Sequence, residues 1–133
     1  IENTIMHTSI ELMHITIPMH LRDISIINLY RPPNTIISFF FDKLTSFLGN
    51  IDYVNHPIII MGDLNINLLE KNHPNTKKLA EILQSFNFIT LNKNVPSRIT
   101  NISSTLIDHI HINKCYKELF TSKWPIIYNR PKK

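Results

Sequence analysis

Runs of apolar residues with two different periods divide the first part of the chain into strands and a helix. Residues 11–17 and 24–30 alternate and are rich in β-branched side chains, which predicts two strands joined as an antiparallel hairpin around residues 18–22. Pro32 and Pro33 end the second strand, because proline cannot donate a hydrogen bond to a strand ladder.

Apolar residues then recur at helical spacing, which predicts a helix after the two prolines. Thr35 or Ser38 is the expected cap of its first turn, and Gly49 followed by Asn50 is the expected stop. The apolar positions of this predicted helix are Ile36, Phe40, Leu44, Phe47 and Leu48.

The second part of the chain begins with a continuous apolar run at 58–61, which opens after Pro57 and ends at Gly62. Such a run is typical of a strand buried on both faces. The remaining predicted elements are a helix at 75–86, strands at 88–91 and 105–112, and a polar loop at 92–101. The order strand, strand, helix, strand, helix, strand, strand favours a layered α/β sandwich.

Length and composition limit the classes of protein that fit this pattern. With 133 residues, 43% of them hydrophobic and 18% charged, the chain fits one domain and is neither collagen-like nor strongly disordered. The single cysteine, Cys115, cannot form an internal disulfide, which favours a reducing compartment. The net charge of +4 permits a polyanionic partner without requiring one. We expect a partial domain at 1–127 and a basic tail at 128–133.

The sharpest chemical signal follows the continuous strand, where Gly62 precedes Asp63, Leu64 and Asn65. Because side chains alternate at a strand end, Asp63 and Asn65 can point into one cleft. There the acid can hold a metal-bound water, and the amide can donate a hydrogen bond to a phosphate oxygen. The alternative is an Asx-type turn, in which both side chains cap nearby backbone groups.

Polar residues also follow the second strand of the predicted hairpin. Tyr30 stands at the strand end, and Arg31 and Asn34 flank the two prolines in a rigid loop. This arrangement can line a groove for phosphate groups. The alternative is a simple turn that terminates the strand.

The last predicted strand carries an acid and two histidines. Asp108 stands inside an apolar strand and is expected to have a partner there, because burial of an unpaired acid is costly. His109 and His111 share the other face of the strand at a spacing of two. They are either a weak zinc signal or histidines at the surface or in the core.

Taken in order, these segments resemble the endonuclease/exonuclease/phosphatase superfamily, and within it the apurinic-like endonuclease domain of LINE-type (non-LTR) retrotransposons. The resemblance covers residues 11–113 and implies a DNase I-like four-layer α/β sandwich, partial because N-terminal strands are missing. It rests on four motifs in register, Tyr30-Arg31-Pro32-Pro33, Gly62-Asp63-Leu64-Asn65, Pro96-Ser97-Arg98 and Ile107-Asp108.

The resemblance implies roles for individual residues. Tyr30 is expected beside the scissile phosphate, Asp63 at the attacking water or the metal, and Asn65 on the phosphate. Asp108 is expected to orient a catalytic histidine. The candidates for DNA contact are Arg31, Asn34 and Arg98.

The resemblance also implies a cofactor and partners. Members of the family nick one DNA strand with Mg²⁺, or with Mn²⁺ in its place, and leave a 3′-hydroxyl that primes reverse transcription. We therefore expect DNA as a partner, a reverse transcriptase domain downstream in the parent polyprotein, and no membrane. An intracellular location with access to the nucleus is expected for the parent element.

Two features of the family are missing from this sequence. Glu2 and Glu11 lie in the wrong context to supply its metal-binding glutamate, and the stretch 121–127 lacks the aspartate and histidine of the closing serine-aspartate-histidine motif. Lysine replaces the imidazole poorly, because its ordinary pKa of about 10.4 leaves it protonated at neutral pH. Asp108 is then expected to be a buried acid without a partner. The chain also begins at Ile1 without an initiator methionine, so we expect a fragment. Because the general base and the metal glutamate are both missing, we expect it to be inactive alone.

The sequence leaves two alternatives to a fragment of a DNA endonuclease. One is a phosphatase of the same superfamily, acting for instance on phosphoinositides or sphingomyelin, which the Tyr-Arg-Pro-Pro and Pro-Ser-Arg segments disfavour. The other is a non-catalytic remnant that binds nucleic acid or a partner through its basic surface. The missing histidine and glutamate favour this second alternative.

Overall fold

A computed structural model describes residues 3–7, 10–52 and 54–121 as an α/β fold built on one six-stranded sheet. Strands β1 (Asn3–His7), β2 (Ile10–Ile17) and β3 (Ile24–Tyr30) form an antiparallel meander. The predicted hairpin is confirmed, and β1 is a strand that the sequence pattern did not predict.

The rest of the chain completes the sheet and packs helices against it. Helix α1 (Ile37–Asn50) connects β3 to the parallel strand β4 (Ile58–Asp63), and helix α2 (Pro74–Ser85) follows. The remaining elements are β5 (Phe88–Thr90), β6 (Arg98–Ile99), β7 (Ser104–Thr105), β8 (Asp108–Asn113), a 3-10 turn (Lys114–Tyr116) and α3 (Lys117–Thr121). The strand order is β1-β2-β3-β4-β8-β5, and β6 and β7 form a separate ribbon.

The start of α1 differs from the prediction, whereas its end at Asn50 agrees with it. The N-cap residue is Ile36, whose side chain makes no capping hydrogen bond and is 72% exposed. A turn closed by the Thr35 N–H to the Pro32 carbonyl (3.0 Å) precedes the helix, and Ser38 already lies within the first helical turn. The predicted cap at Thr35 or Ser38 is therefore wrong.

The predicted strand at 105–112 is divided into β7 and β8 by Leu106 and Ile107. At these two residues the backbone N–H groups donate to side chains, Leu106 to Asn67 Oδ1 (3.0 Å) and Ile107 to Ser97 Oγ (3.1 Å). Side chains therefore replace the strand ladder there.

The hydrophobic core lies between the sheet and the helices. It contains Ile27, Leu29, Ile58, Ile60, Phe40, Leu44, Leu48, Leu79 and Leu83. The opposite face of the sheet is apolar but open, since Met13, Ile17 and Ile110 are 37–40% exposed. The prediction that 58–61 is buried on both faces holds only in part, because Ile59 and Met61 on this face are half-buried, although Ile112, which pairs with Ile59, is fully buried. The strand also continues through Gly62 to Asp63.

Some predictions concern parts of the chain outside the described residues. They are Glu2, the stretch 122–127 that replaces the family's closing motif, and the basic tail at 128–133. Among the helices that are described, none is long and apolar enough to cross a membrane.

His109 and His111 point into the core, where each is 1% exposed. His109 Nε2 lies 2.8 Å from the Ile66 carbonyl, and His111 Nδ1 lies 2.9 Å from Thr90 Oγ1. The described residues contain no group of three His, Cys, Asp or Glu that could hold a metal ion. The interpretation as core histidines is confirmed.

We expect acid to destabilise the fold through these two histidines. Burial lowers the pKa of His111 to about 3 and also lowers the pKa of His109. In the unfolded chain both pKa values return to about 6.5, so below that pH the unfolded state takes up protons that the folded state does not. The stability that the two histidines contribute is therefore fully present above pH 7 and falls as the pH drops. The unfolding equilibrium constant should rise about tenfold per pH unit through His111, and His109 acts in the same direction.

Urea midpoints measured between pH 4 and pH 8 check this prediction. The His111→Gln variant should lose stability less steeply with falling pH, because glutamine does not titrate in this range. A His20→Gln variant, at an exposed position, is the matched control and should follow the wild-type slope. Parallel curves for wild type and His111→Gln would contradict the prediction.

Candidate active site

Four polar residues lie in one row across the open face of the sheet, at the end where β3 and β4 finish. Antiparallel register pairs Glu11 with Tyr30 and Asp63 with Asp108. The parallel register of β3 and β4 continues in the hydrogen bond from the Arg31 N–H to the Asp63 carbonyl (2.9 Å), which places Tyr30 beside Asp63. Directly opposed residues have Cβ atoms about 5 Å apart. The structure thus brings together three predicted catalytic residues and adds Glu11 at the end of the row.

Asp108 is an exposed acid, which corrects the expectation of a buried one. It is the first residue of β8 and lies on the open face, whereas the next residue, His109, points into the core. The sequence analysis predicted that Asp108 and the two histidines lie on opposite faces of the strand. The helices cover the face with the histidines, so Asp108 lies on the open face. The carboxylate of Asp108 is therefore accessible to solvent and to a ligand on the open face.

Arg31 joins the two strand-end segments from a buried position, 5% exposed. Its guanidinium donates to the carbonyl oxygens of Leu64 (Nε, 2.6 Å) and Asn65 (Nη2, 2.8 Å), and Asn65 Nδ2 donates back to the Arg31 carbonyl (2.8 Å). Nη1 donates further to the carbonyls of Pro32 (3.4 Å) and Thr35 (3.2 Å). These bonds form the Arg31–Asn65 clamp.

The predicted DNA contact of Arg31 does not fit this geometry. The side chain has almost no free surface, and its N–H groups are directed at protein carbonyls. Burial lowers the pKa of the Arg31 guanidinium, while the carboxylate of Asp63 acts in the opposite direction. Arg31 therefore positions the segment that contains Asp63 and Asn65 instead of reaching into solvent.

The Asx-type turn is present at Asp63. Its Oδ1 accepts the backbone N–H of Asn65 (2.9 Å), and Asn65 adopts a φ of 50°, which asparagine tolerates better than most residues. Asp63 Oδ2 has no hydrogen-bond partner in the part of the chain that the structure describes. One carboxylate oxygen thus closes the turn, and the other is left for a ligand.

The half-buried carboxylate of Asp63 is chemically suited to Mg²⁺. This ion is usually held by one or two carboxylates, with water and substrate phosphate completing its shell. Asp108, directly opposite, supplies a second carboxylate on the same face. Glu11 lies two strands from Asp63, roughly 10 Å away at ordinary strand spacing, so it does not complete the same shell.

The Pro96-Ser97-Arg98 loop is held against the start of β8. Ser97 Oγ accepts the N–H groups of Ile107 (3.1 Å) and Asp108 (3.2 Å). Arg98 is exposed in β6, and Asn34 is exposed in the loop before α1. Both side chains have free surface, and their contact with DNA stays a prediction.

Asparagine side chains that the sequence analysis did not single out also position the site. Asn67 Oδ1 accepts the N–H of Leu106 (3.0 Å), which ties the loop after Asp63 to the segment before β8. Asn92 donates to the Asp108 carbonyl (2.8 Å) and accepts the Ile110 N–H (3.0 Å). The only signal for them in the sequence is the number of asparagines, 15 of 133 residues. Glu11 could have been found by counting the hairpin register back from Tyr30.

Comparison with known proteins places this geometry in context. The family described as "Endonuclease-reverse transcriptase" matches residues 24–126. Among solved structures, the endonuclease domain of TRAS1, a telomere-specific non-LTR retrotransposon, is similar with a TM-score of 0.66 and 15% identity, over 89% of this chain and 58% of that one. The comparison with curated proteins gave no match.

A second solved structure is an endonuclease/exonuclease/phosphatase family protein from Leptotrichia buccalis C-1013-b. It is similar with a TM-score of 0.53 and 20% identity, over 78% of this chain and 42% of that one. The chain thus spans about half the length of these two structures. The likeness confirms the predicted DNase I-like α/β fold at partial coverage.

Proposed function

Because the chain belongs to the endonuclease–reverse transcriptase family, we propose that it is part of a Mg²⁺-dependent DNA endonuclease of a non-LTR retrotransposon. The observation that carries this proposal is the row of Tyr30, Asp63 and Asp108 at one open end of the sheet, with Asn65 beside it. Phosphodiester hydrolysis needs an acid for the water or metal and donors for the charge that develops on the phosphate. These residues are of the right types for both tasks.

Each residue has a role that its position supports. Asp63 would hold Mg²⁺ or Mn²⁺ through Oδ2, with Asp108 opposite, and the bound ion would supply positive charge at a phosphate oxygen. Tyr30, next to Asp63, donates its hydroxyl proton in a hydrogen bond to the phosphate. Asn65 Nδ2 gives one N–H to the Arg31 carbonyl and has its second N–H for the phosphate.

The nick would expose a 3′-hydroxyl that primes a reverse transcriptase in the parent protein. The family description, which joins the two activities in one name, supports this partner. The chain itself is proposed to be inactive, because its sequence supplies neither the family's metal-binding glutamate nor the histidine of the closing motif.

Nicking of supercoiled plasmid with Mg²⁺ tests the proposal. The chain alone should nick no faster than buffer. Millimolar imidazole, which replaces the missing general base, should produce slow nicking if Asp63 and Asp108 hold the metal without the family's glutamate. EDTA and Asp63→Asn should each abolish that nicking. Asp42→Asn, the same chemical change at an exposed position of α1, should retain it.

Two results would change the proposal. Nicking without imidazole that requires Asp63 would show that the chain holds a complete site, so that the proposed inactivity is wrong. A folded chain that binds plasmid and nicks it under neither condition would favour the non-catalytic nucleic-acid-binding alternative. The absent histidine and glutamate are the observation behind that second candidate.

A further inference from the structure

A groove of about 700 Å³ lies between α2 and the edge strand β5, away from the row of Tyr30, Asp63 and Asp108. Its floor is apolar and largely buried, with Leu79, Leu83 and Phe88. Four lysines line it, Lys71, Lys77, Lys93 and Lys114. No aspartate or glutamate of the described residues lines this lysine groove.

The four lysines converge from four different parts of the chain. They come from the loop before α2, the first turn of α2, the loop after β5 and the turn after β8. All four are exposed, and none takes part in either of the ion pairs Lys78–Glu81 and His56–Asp52. A concave surface lined by one sign of charge concentrates the field and attracts counter-charged ligands.

Protection of a strand edge does not account for all of these lysines. β5 is the last strand of the sheet and pairs with β8 alone among the described strands, so nearby lysines also discourage pairing with another chain. Lys71 and Lys77, however, belong to the α2 side of the groove and not to the strand. Their position indicates a ligand between the two sides.

We propose that the lysine groove binds the sugar–phosphate backbone of a nucleic acid strand, without reading its bases. The charges follow β8 from Lys93, beside its Asp108 end, to Lys114 beyond its other end, a span of roughly 20 Å. A phosphate chain presents negative charge repeatedly over such a length. Among the described residues, the groove has no exposed aromatic side chain on which bases could stack, since Phe88 is buried.

This site deepens the proposed function, on which it rests for the identity of the nucleic acid as DNA. The groove would hold a stretch of DNA backbone outside the reacting row. Binding measured in EDTA, where no cleavage occurs, separates the two proposals: a chain that fails to nick can still bind through the groove.

Fluorescence anisotropy with labelled single-stranded and duplex oligonucleotides tests the groove. The variant Lys77→Gln/Lys93→Gln should weaken binding about tenfold and reduce the slope of log K against log salt by about two. The variant Lys43→Gln/Lys78→Gln removes the same two charges from α1 and from the side of α2 where Lys78 meets Glu81, and its effect should be much smaller. The two oligonucleotides show whether the backbone is taken up as a single strand or as a duplex.

A variant that keeps both positive charges distinguishes a loss of DNA binding from a loss of folding. The variant Lys77→Arg/Lys93→Arg should regain most of the affinity, because the proposed contacts are with phosphates. Equal weakening by the two glutamine double variants would overturn the proposal, since affinity would then follow net charge alone. Displacement of DNA by poly-glutamate at equal charge concentration would also overturn it, in favour of an acidic protein partner.

Discussion

Replacing Gly62 with alanine is expected to destabilise the fold strongly. Gly62 adopts a φ of +137°, and a Cβ at this position would overlap the Leu29 carbonyl oxygen and lie 2.9 Å from Asn28 Oδ1. These atoms belong to β3, which cannot withdraw without breaking its pairing with β4. We expect a loss of about 3 kcal/mol or more, a large share of the stability of a small domain.

Urea unfolding followed by circular dichroism measures this effect. Gly49→Ala is the matched control, because a Cβ there would meet only Phe86 Cε1, at 3.9 Å, within helix α1. That variant should be as stable as wild type or more stable by about 0.5–1 kcal/mol. A Gly62→Ala chain with a wild-type urea midpoint would show that the close approach of β3 and β4 is wrong.

The second large effect is expected from Arg31→Met, which removes the guanidinium of the Arg31–Asn65 clamp. The carbonyls of Leu64 and Asn65 would lose buried donors, and the guanidinium would no longer lie over the Phe40 ring, 5.8 Å from its centroid. We expect a loss of about 2–4 kcal/mol, because unsatisfied buried acceptors are costly. Arg31→Lys should recover little, since an ammonium group cannot reproduce the planar fork of donors.

Stability and DNA binding together separate this role from a DNA contact. The free energy of unfolding, measured with urea, should fall for Arg31→Met. For Arg98→Met it should remain within about 0.5 kcal/mol of wild type, because Arg98 is exposed. Amide hydrogen exchange should also speed up at Leu64, whose N–H donates to the Ile107 carbonyl (3.0 Å). An Arg31→Met chain that is fully stable and yet binds DNA weakly would restore the predicted contact.

The features that could be predicted from the sequence are those encoded by neighbouring residues. Alternation located β3 at its observed bounds, and the continuous apolar run located the strand that leads to Asp63. The family resemblance assigned Tyr30, Asp63 and Asp108 to one site, and the structure places all three in one row at an end of the sheet.

The features that could not be predicted depend on contacts between distant parts of the chain. Alternation does not tell which face the helices cover, so the exposure of Asp108 and the burial of His109 could not be known. Two of the acceptors of the Arg31 guanidinium, Leu64 and Asn65, lie 33 and 34 residues away, and a lone arginine at a strand end carries no sign of them. The start of α1 at Ile37 depends on the turn that precedes it, which the capping preferences of Thr35 and Ser38 do not describe.

The Arg31–Asn65 clamp has a consequence for how such chains diverge. All its acceptors are main-chain oxygens, which every residue possesses, so Leu64 or Thr35 can change without removing a bond. Only Arg31 and Asn65 contribute side chains to it. Selection that preserves shape would therefore retain this pair in descendants that have lost their chemistry. An arginine and an asparagine at these positions therefore show that a related chain has kept the fold. Whether it has kept catalytic activity has to be judged from Tyr30, Asp63 and Asp108.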